Sequence, residues 1–152
     1  MDDIDTTIIE DSIMKTLVVI TNLISGLLLV RFSISKLFAW PISVTAFVEM
    51  AKPLGIDPTF FRLSTGVLIT AICLGYLTNF ILLVTKKEKL SLKGYPFIML
   101  SNLLGIGVMI GALISEFALR VEPKWPLVII ASVIILFSIF NISQSRKVLA
   151  RS

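Results

Sequence analysis

Four stretches without a charged residue decide what this chain can become. They cover residues 16–30, 63–85, 94–115 and 125–145. A helix needs about 20 apolar residues to cross about 30 Å of hydrocarbon, and inside a bilayer only helices or closed barrels satisfy every backbone N–H and C=O. The last three stretches are long enough as they stand. The first has 15 residues, so a complete span there must take in Arg31. A charge at the bilayer centre costs about 2.5–3.5 kcal/mol on insertion scales, which makes Arg31 the exceptional residue of the chain. Lys36, about 7.5 Å further along a helix, can snorkel to the headgroups.

Composition agrees with spans rather than a soluble core. Hydrophobic residues make up 56% of the 152 and the mean hydropathy is +0.96, above the roughly half-apolar content of soluble domains. The expected fold is all-α: an integral membrane four-helix bundle spanning about 13–38, 60–85, 94–120 and 125–145. An acidic tail, 1–12, precedes it and a basic tail, 146–152, follows. The acidic start lacks the basic n-region of a signal peptide, so span one is expected to stay in the mature protein. Residues 39–58 form the longest connection. Trp40-Pro41 reads as an interfacial stop, and Ile42, Ala46, Phe47, Met50 and Ala51 recur at the spacing of a short interfacial helix, ended by Pro53, Gly55 and Pro58.

The net charge of +4 sits mainly between the apolar blocks, where it reports topology rather than nucleic-acid binding. Four spans place both termini on one side, together with Lys15, Lys86, Lys87, Lys89, Lys93, Arg146, Lys147 and Arg151. Arg31, Lys36, Lys52, Arg62, Arg120 and Lys124 fall on the other. The positive-inside rule then predicts a cell (inner or plasma) membrane protein with cytoplasmic termini.

Under this topology Arg31, Lys36, Arg62, Glu116 and Arg120 share one outer level. They read either as helix-end markers, with Glu116 pairing Arg31 or Arg120, or as a vestibule for an anion or polar headgroup. Gly66 and Gly75 in span two, and the Gly107–Gly111 GxxxG in span three, are expected to let neighbouring helices approach closely. Asn22, Ser25, Tyr76, Asn79, Ser101, Asn102 and Asn141 are candidate interhelical hydrogen-bond groups with a packing role.

Histidine is absent and Cys73 is the single cysteine, so the common haem, zinc and iron–sulfur ligand sets are missing. No metal site and no cofactor held by this chain are expected; a quinone or flavin, or a cofactor of a partner, is what redox chemistry would need. Cys73 reads as a small packing residue. No nucleophile–base pair, phosphate loop or carboxylate dyad occurs, so no catalytic residue and no activity of the chain's own are expected.

Arg31 followed by Ser35-Lys36 at the end of span one resembles the R…(G/S)-K signature of the DoxX-like family of small four-helix membrane proteins. The connection ending in Gly55, the glycines of span two, the run from Gly111 to Glu116 and Trp125 opening span four are similar too, over roughly residues 15–142. Arg62-Leu63-Ser64 stands where many members carry an acidic residue, and Glu116 where many carry histidine. The resemblance implies a four-helix bundle close to quinone or thiol redox chemistry, often as a subunit. Three functions follow as expectations. The first is an accessory subunit of a larger, redox membrane complex, its partners being lipids and other membrane subunits and not nucleic acid. The second is a quinone-linked oxidoreductase subunit with Arg31 as anion clamp. The third is a small transporter or lipid-binding protein.

Overall fold

The computed structural model describes the backbone of residues 2–85, 91–92 and 95–150, and the side chains of residues 9–10, 12–85 and 96–145. Five helices occur in it: α1 (Asp2–Leu37), α2 (Pro41–Ala51), α3 (Pro58–Val84), α4 (Phe97–Ala118) and α5 (Trp125–Ala150). A two-residue antiparallel ladder, with Ser91 opposite Pro96 and Leu92 opposite Tyr95, links α3 to α4. Four helices are long and apolar enough to cross a membrane, over Ser12–Leu37, Pro58–Val84, Phe97–Ala118 and Trp125–Ser145. The chain is therefore a multi-pass membrane protein with a short helix between its first two spans.

Two expected boundaries shift. The helical backbone of α1 begins at Asp2, through the stretch expected as a tail, and that of α5 runs on to Ala150. No Gly or Pro occurs in residues 1–25 or 127–152, and extending an existing helix adds one bond for each residue fixed. The basic residues Lys86, Lys87, Lys89 and Lys93, and the side chains of the C-terminal tail, lie outside the described residues.

Local signals end and start the helices near α2. Ala39 adopts φ 53°, and the Trp40 N–H returns to the Ser35 carbonyl at 3.0 Å, the left-handed closure common at helix ends. Pro41 then opens α2 at a position where its missing N–H is harmless. At the far end Gly55 takes φ 63°, a conformation that only glycine adopts without strain. The Asp57 carboxylate accepts the Phe60 N–H at 2.6 Å and caps α3.

The spans run antiparallel in sequence order. α1 packs most extensively on α3 and α4 on α5, and α1 with α5 and α3 with α4 close the ring. On α3, Gly66, Ile69, Cys73, Tyr76, Asn79 and Leu83 point inwards, three or four residues apart as one helix face requires. Val67, Leu74 and Ile81 form its exposed apolar stripe. Leu29, Ile69, Ile72, Tyr76, Met109 and Ile134 make the central core, and Phe47, Met50 and Ala46 seat α2 against Phe61 and Leu119.

Gly66 lies 3.1 Å from the Lys36 and Leu37 side chains, and Gly75 is 3.1 Å from Ser101 Cβ, measured from where a Cβ would stand. Gly107 and Gly111 differ from expectation: both are exposed, with open space where a Cβ would stand. The reason is their phase on the helix. Asn102, Gly105, Met109 and Glu116 define the buried face of α4, and a residue two positions away is turned about 200°. Gly105 is the close-contact glycine of α4, lying against the Tyr76 hydroxyl.

Candidate functional site

Two polar layers divide the bundle. The first is built of asparagine, one from each span: Asn22, Asn79, Asn102 and Asn141, each at most 1% exposed. Asn79 donates to Asn22 at 3.1 Å and to Ser101 at 2.6 Å. Asn102 donates to Asn22 at 3.4 Å, Asn141 donates to Asn102 at 3.0 Å, and Thr21 donates to Asn141 at 2.6 Å. The amides of Asn22 and Asn102 each also reach back to a carbonyl of their own helix at 2.8 Å. Nearer the centre Tyr76 and Ser138 share a hydrogen bond at 2.5 Å. Lipid gives helices no hydrophobic drive to associate, so packing and such bonds fix their register. This layer is a tie between all four spans.

The second layer lies at the α2 end of the bundle, around a cavity of about 930 Å³ between α1, α2 and α3 on one side and α4 and α5 on the other. Its walls are apolar, from Leu28 and Phe32 to Leu113 and Ala131, and charged groups gather at one end: Arg31, Lys36, Glu116, Arg120 and Lys124. Of the five residues that sequence placed at one level, four line this cavity and Arg62 does not.

Arg62 is buried beside it and donates to the Lys36 carbonyl. A cation there satisfies one of the carbonyls that a helix leaves open at its C-terminus, so Arg62 fixes the last turn of α1. Glu116 is buried and pairs with Arg120 at 2.9 Å. The same Glu116 oxygen accepts the Lys124 backbone N–H at 2.7 Å, which folds the α4–α5 connection back on the end of α4. Arg120 Nε also lies 3.6 Å from Glu49 of α2, and Glu49 accepts the Val121 N–H at 2.8 Å. Nothing local in the α2 segment marks Glu49 for this role, because its partner Val121 stands 72 residues away.

Arg31, offered as one partner of Glu116, does not take that role. It is exposed at the cavity edge and forms no ion pair or hydrogen bond among the described residues. Glu116 is already engaged by two donors from its own connection. Lys36 differs again: half-buried, it holds its ammonium 5.3 Å from the Phe32 ring and 5.8 Å from the Phe47 ring, within reach of cation–π attraction. Both rings line the cavity. Lys36 likewise forms no ion pair among the described residues, so the fixed charge here is unbalanced towards positive. Among the described residues no three His, Cys, Asp or Glu side chains gather as metal ligands.

No family model, curated protein or solved structure matches this chain.

Proposed function

We propose that this chain binds an amphiphile of the bilayer, with the apolar part in the cavity and the polar head at its charged end. The observation that carries the reading is the cavity itself: about 930 Å³ between the spans, open to the surface past exposed residues such as Leu27, Ile42 and Leu68. That is the upper part of the roughly 300–1,000 Å³ range of small-molecule sites, which are likewise mostly apolar with a few convergent polar groups. A lipid and a quinone both have that shape. The open space beside Gly107 and Gly111 belongs to this same cavity, which both residues line, so it is room for the amphiphile rather than a seat for a helix of another chain.

Native mass spectrometry after gentle solubilisation tests the reading. The wild type is expected to retain about one amphiphile per chain, and Gly111→Trp, placing an indole in open space beside the cavity, is expected to release it. Equal retention by the two proteins contradicts the reading. A retained polypeptide in place of a small molecule supports the subunit role instead.

A further inference from the structure

The charged end of the cavity identifies the class of head group, granted that the cavity holds an amphiphile. Arg31, Lys36, Arg120 and Lys124 line it as cations, and Glu116 as the single carboxylate. Glu116 is bound by Arg120 and by a backbone N–H, and Glu49 also lies on Arg120. Glu116 also faces Lys36 closely enough to act on its charge, but it makes its ion pair with Arg120. Lys36, Arg31 and the Lys124 ammonium remain without an ion pair among the described residues.

Arg31 and Lys36, the two of these on α1, differ in setting. Arg31 stands at the rim and is exposed. Lys36 is held inward, its ammonium over Phe32 and near Phe47. The backbone of its turn is fixed by Arg62 on the Lys36 carbonyl and by Ser35 Oγ on the Phe32 carbonyl at 3.0 Å. An ammonium removed from water and facing apolar walls is expensive unless an anion meets it. The Phe rings supply only part of that compensation.

We infer that the occupant is an acidic lipid, with its phosphate paired by the Lys36 ammonium and reached by the Arg31 guanidinium, and its chain lying along Leu28, Gly111 and Ala131. A basic pocket between spans near a helix end is a known way to hold a phosphate head group. Arg31, with its planar fork, suits a phosphate that enters from the rim. The α1–α2 closure at Ala39 brings Phe47 of α2 to the same ammonium as Phe32 of α1.

The test uses purified full-length protein, stripped of lipid and then incubated with equal phosphatidylglycerol and phosphatidylcholine of matched chains, read by native mass spectrometry. Wild type is expected to retain phosphatidylglycerol over phosphatidylcholine by about tenfold or more, the scale of one charge-assisted contact. Lys36→Gln should bind both lipids alike, Lys36→Arg should keep the preference, and Gly111→Trp should bind neither. Equal retention by wild type, or a preference that survives in Lys36→Gln, overturns the assignment of the head group while leaving amphiphile binding in place. Retention of neither lipid by wild type, or of a quinone from the native membrane instead, overturns the acidic-lipid inference. If Lys36→Gln fails to fold, Lys36→Arg still decides: loss of preference with the charge kept contradicts pairing through charge.

Discussion

Asn22 accepts from Asn79 and from Asn102 at once, so its side chain couples three helices. Replacing it with leucine leaves two buried amides each short of one acceptor. Asn79 keeps Ser101 and Asn102 keeps the Ile98 carbonyl, which limits the damage. A buried polar group left unpaired costs about 1–3 kcal/mol, while single interhelical hydrogen bonds in membranes average about 0.6 kcal/mol. Asn22→Leu is expected to destabilise by about 1–2 kcal/mol, measured by reversible unfolding in mixed micelles. Unchanged stability would mean that the four amides are not a tie. The polar residues themselves were visible in the sequence of every span. That they meet was not, because whether Asn22 faces Asn79 depends on how far α1 slides along α3. Gly26, seated against Leu77, and Gly66 set that slide through contacts between residues far apart in the chain.

At the scale of elements, the short helix and its neighbours divide into readable and unreadable parts. α2 was legible almost to the residue, since Trp40-Pro41 and the Pro53–Pro58 segment punctuate it locally. Its attachment was not, because Glu49 works through Val121 and Arg120 of a distant connection. The Gly107–Gly111 motif misled for a related reason: small spacing marks where a helix can approach, not whether one does. The α4–α5 connection depends on Glu116, whose loss leaves Arg120, a side chain only 7% exposed, with Glu49 at 3.6 Å and no close hydrogen-bonded carboxylate. Breaking one partner of a buried pair costs about 3–5 kcal/mol, and exposed substitutions usually stay within about 0.5 kcal/mol. Glu116→Ala is therefore expected to lower the thermal midpoint clearly, and Arg31→Gln to leave it nearly unchanged. The opposite order in a thermal-shift measurement would return Arg31 to the bundle interior.

For the whole molecule, the four apolar runs were sufficient to specify a four-span bundle, because a bilayer leaves the backbone few alternatives. A cavity has no such signature. It exists where α1 with α3, and α4 with α5, pack well as pairs but part at the α2 end, and no local pattern encodes a gap. The Asn layer holds the far half together, and the Glu116–Arg120–Glu49 tie holds the mouth. Between them lies room for one amphiphile. Photo-crosslinking with a phosphatidylglycerol analogue carrying a diazirine in its acyl chain, followed by peptide mapping, tests that claim most directly. Adducts are expected to concentrate on cavity-lining positions such as Leu28, Val108 and Ala112, to be competed away by unlabelled phosphatidylglycerol and to be lost in Gly111→Trp. Adducts spread evenly over the exposed stripe of Val67, Leu74 and Ile81, without competition, would contradict it.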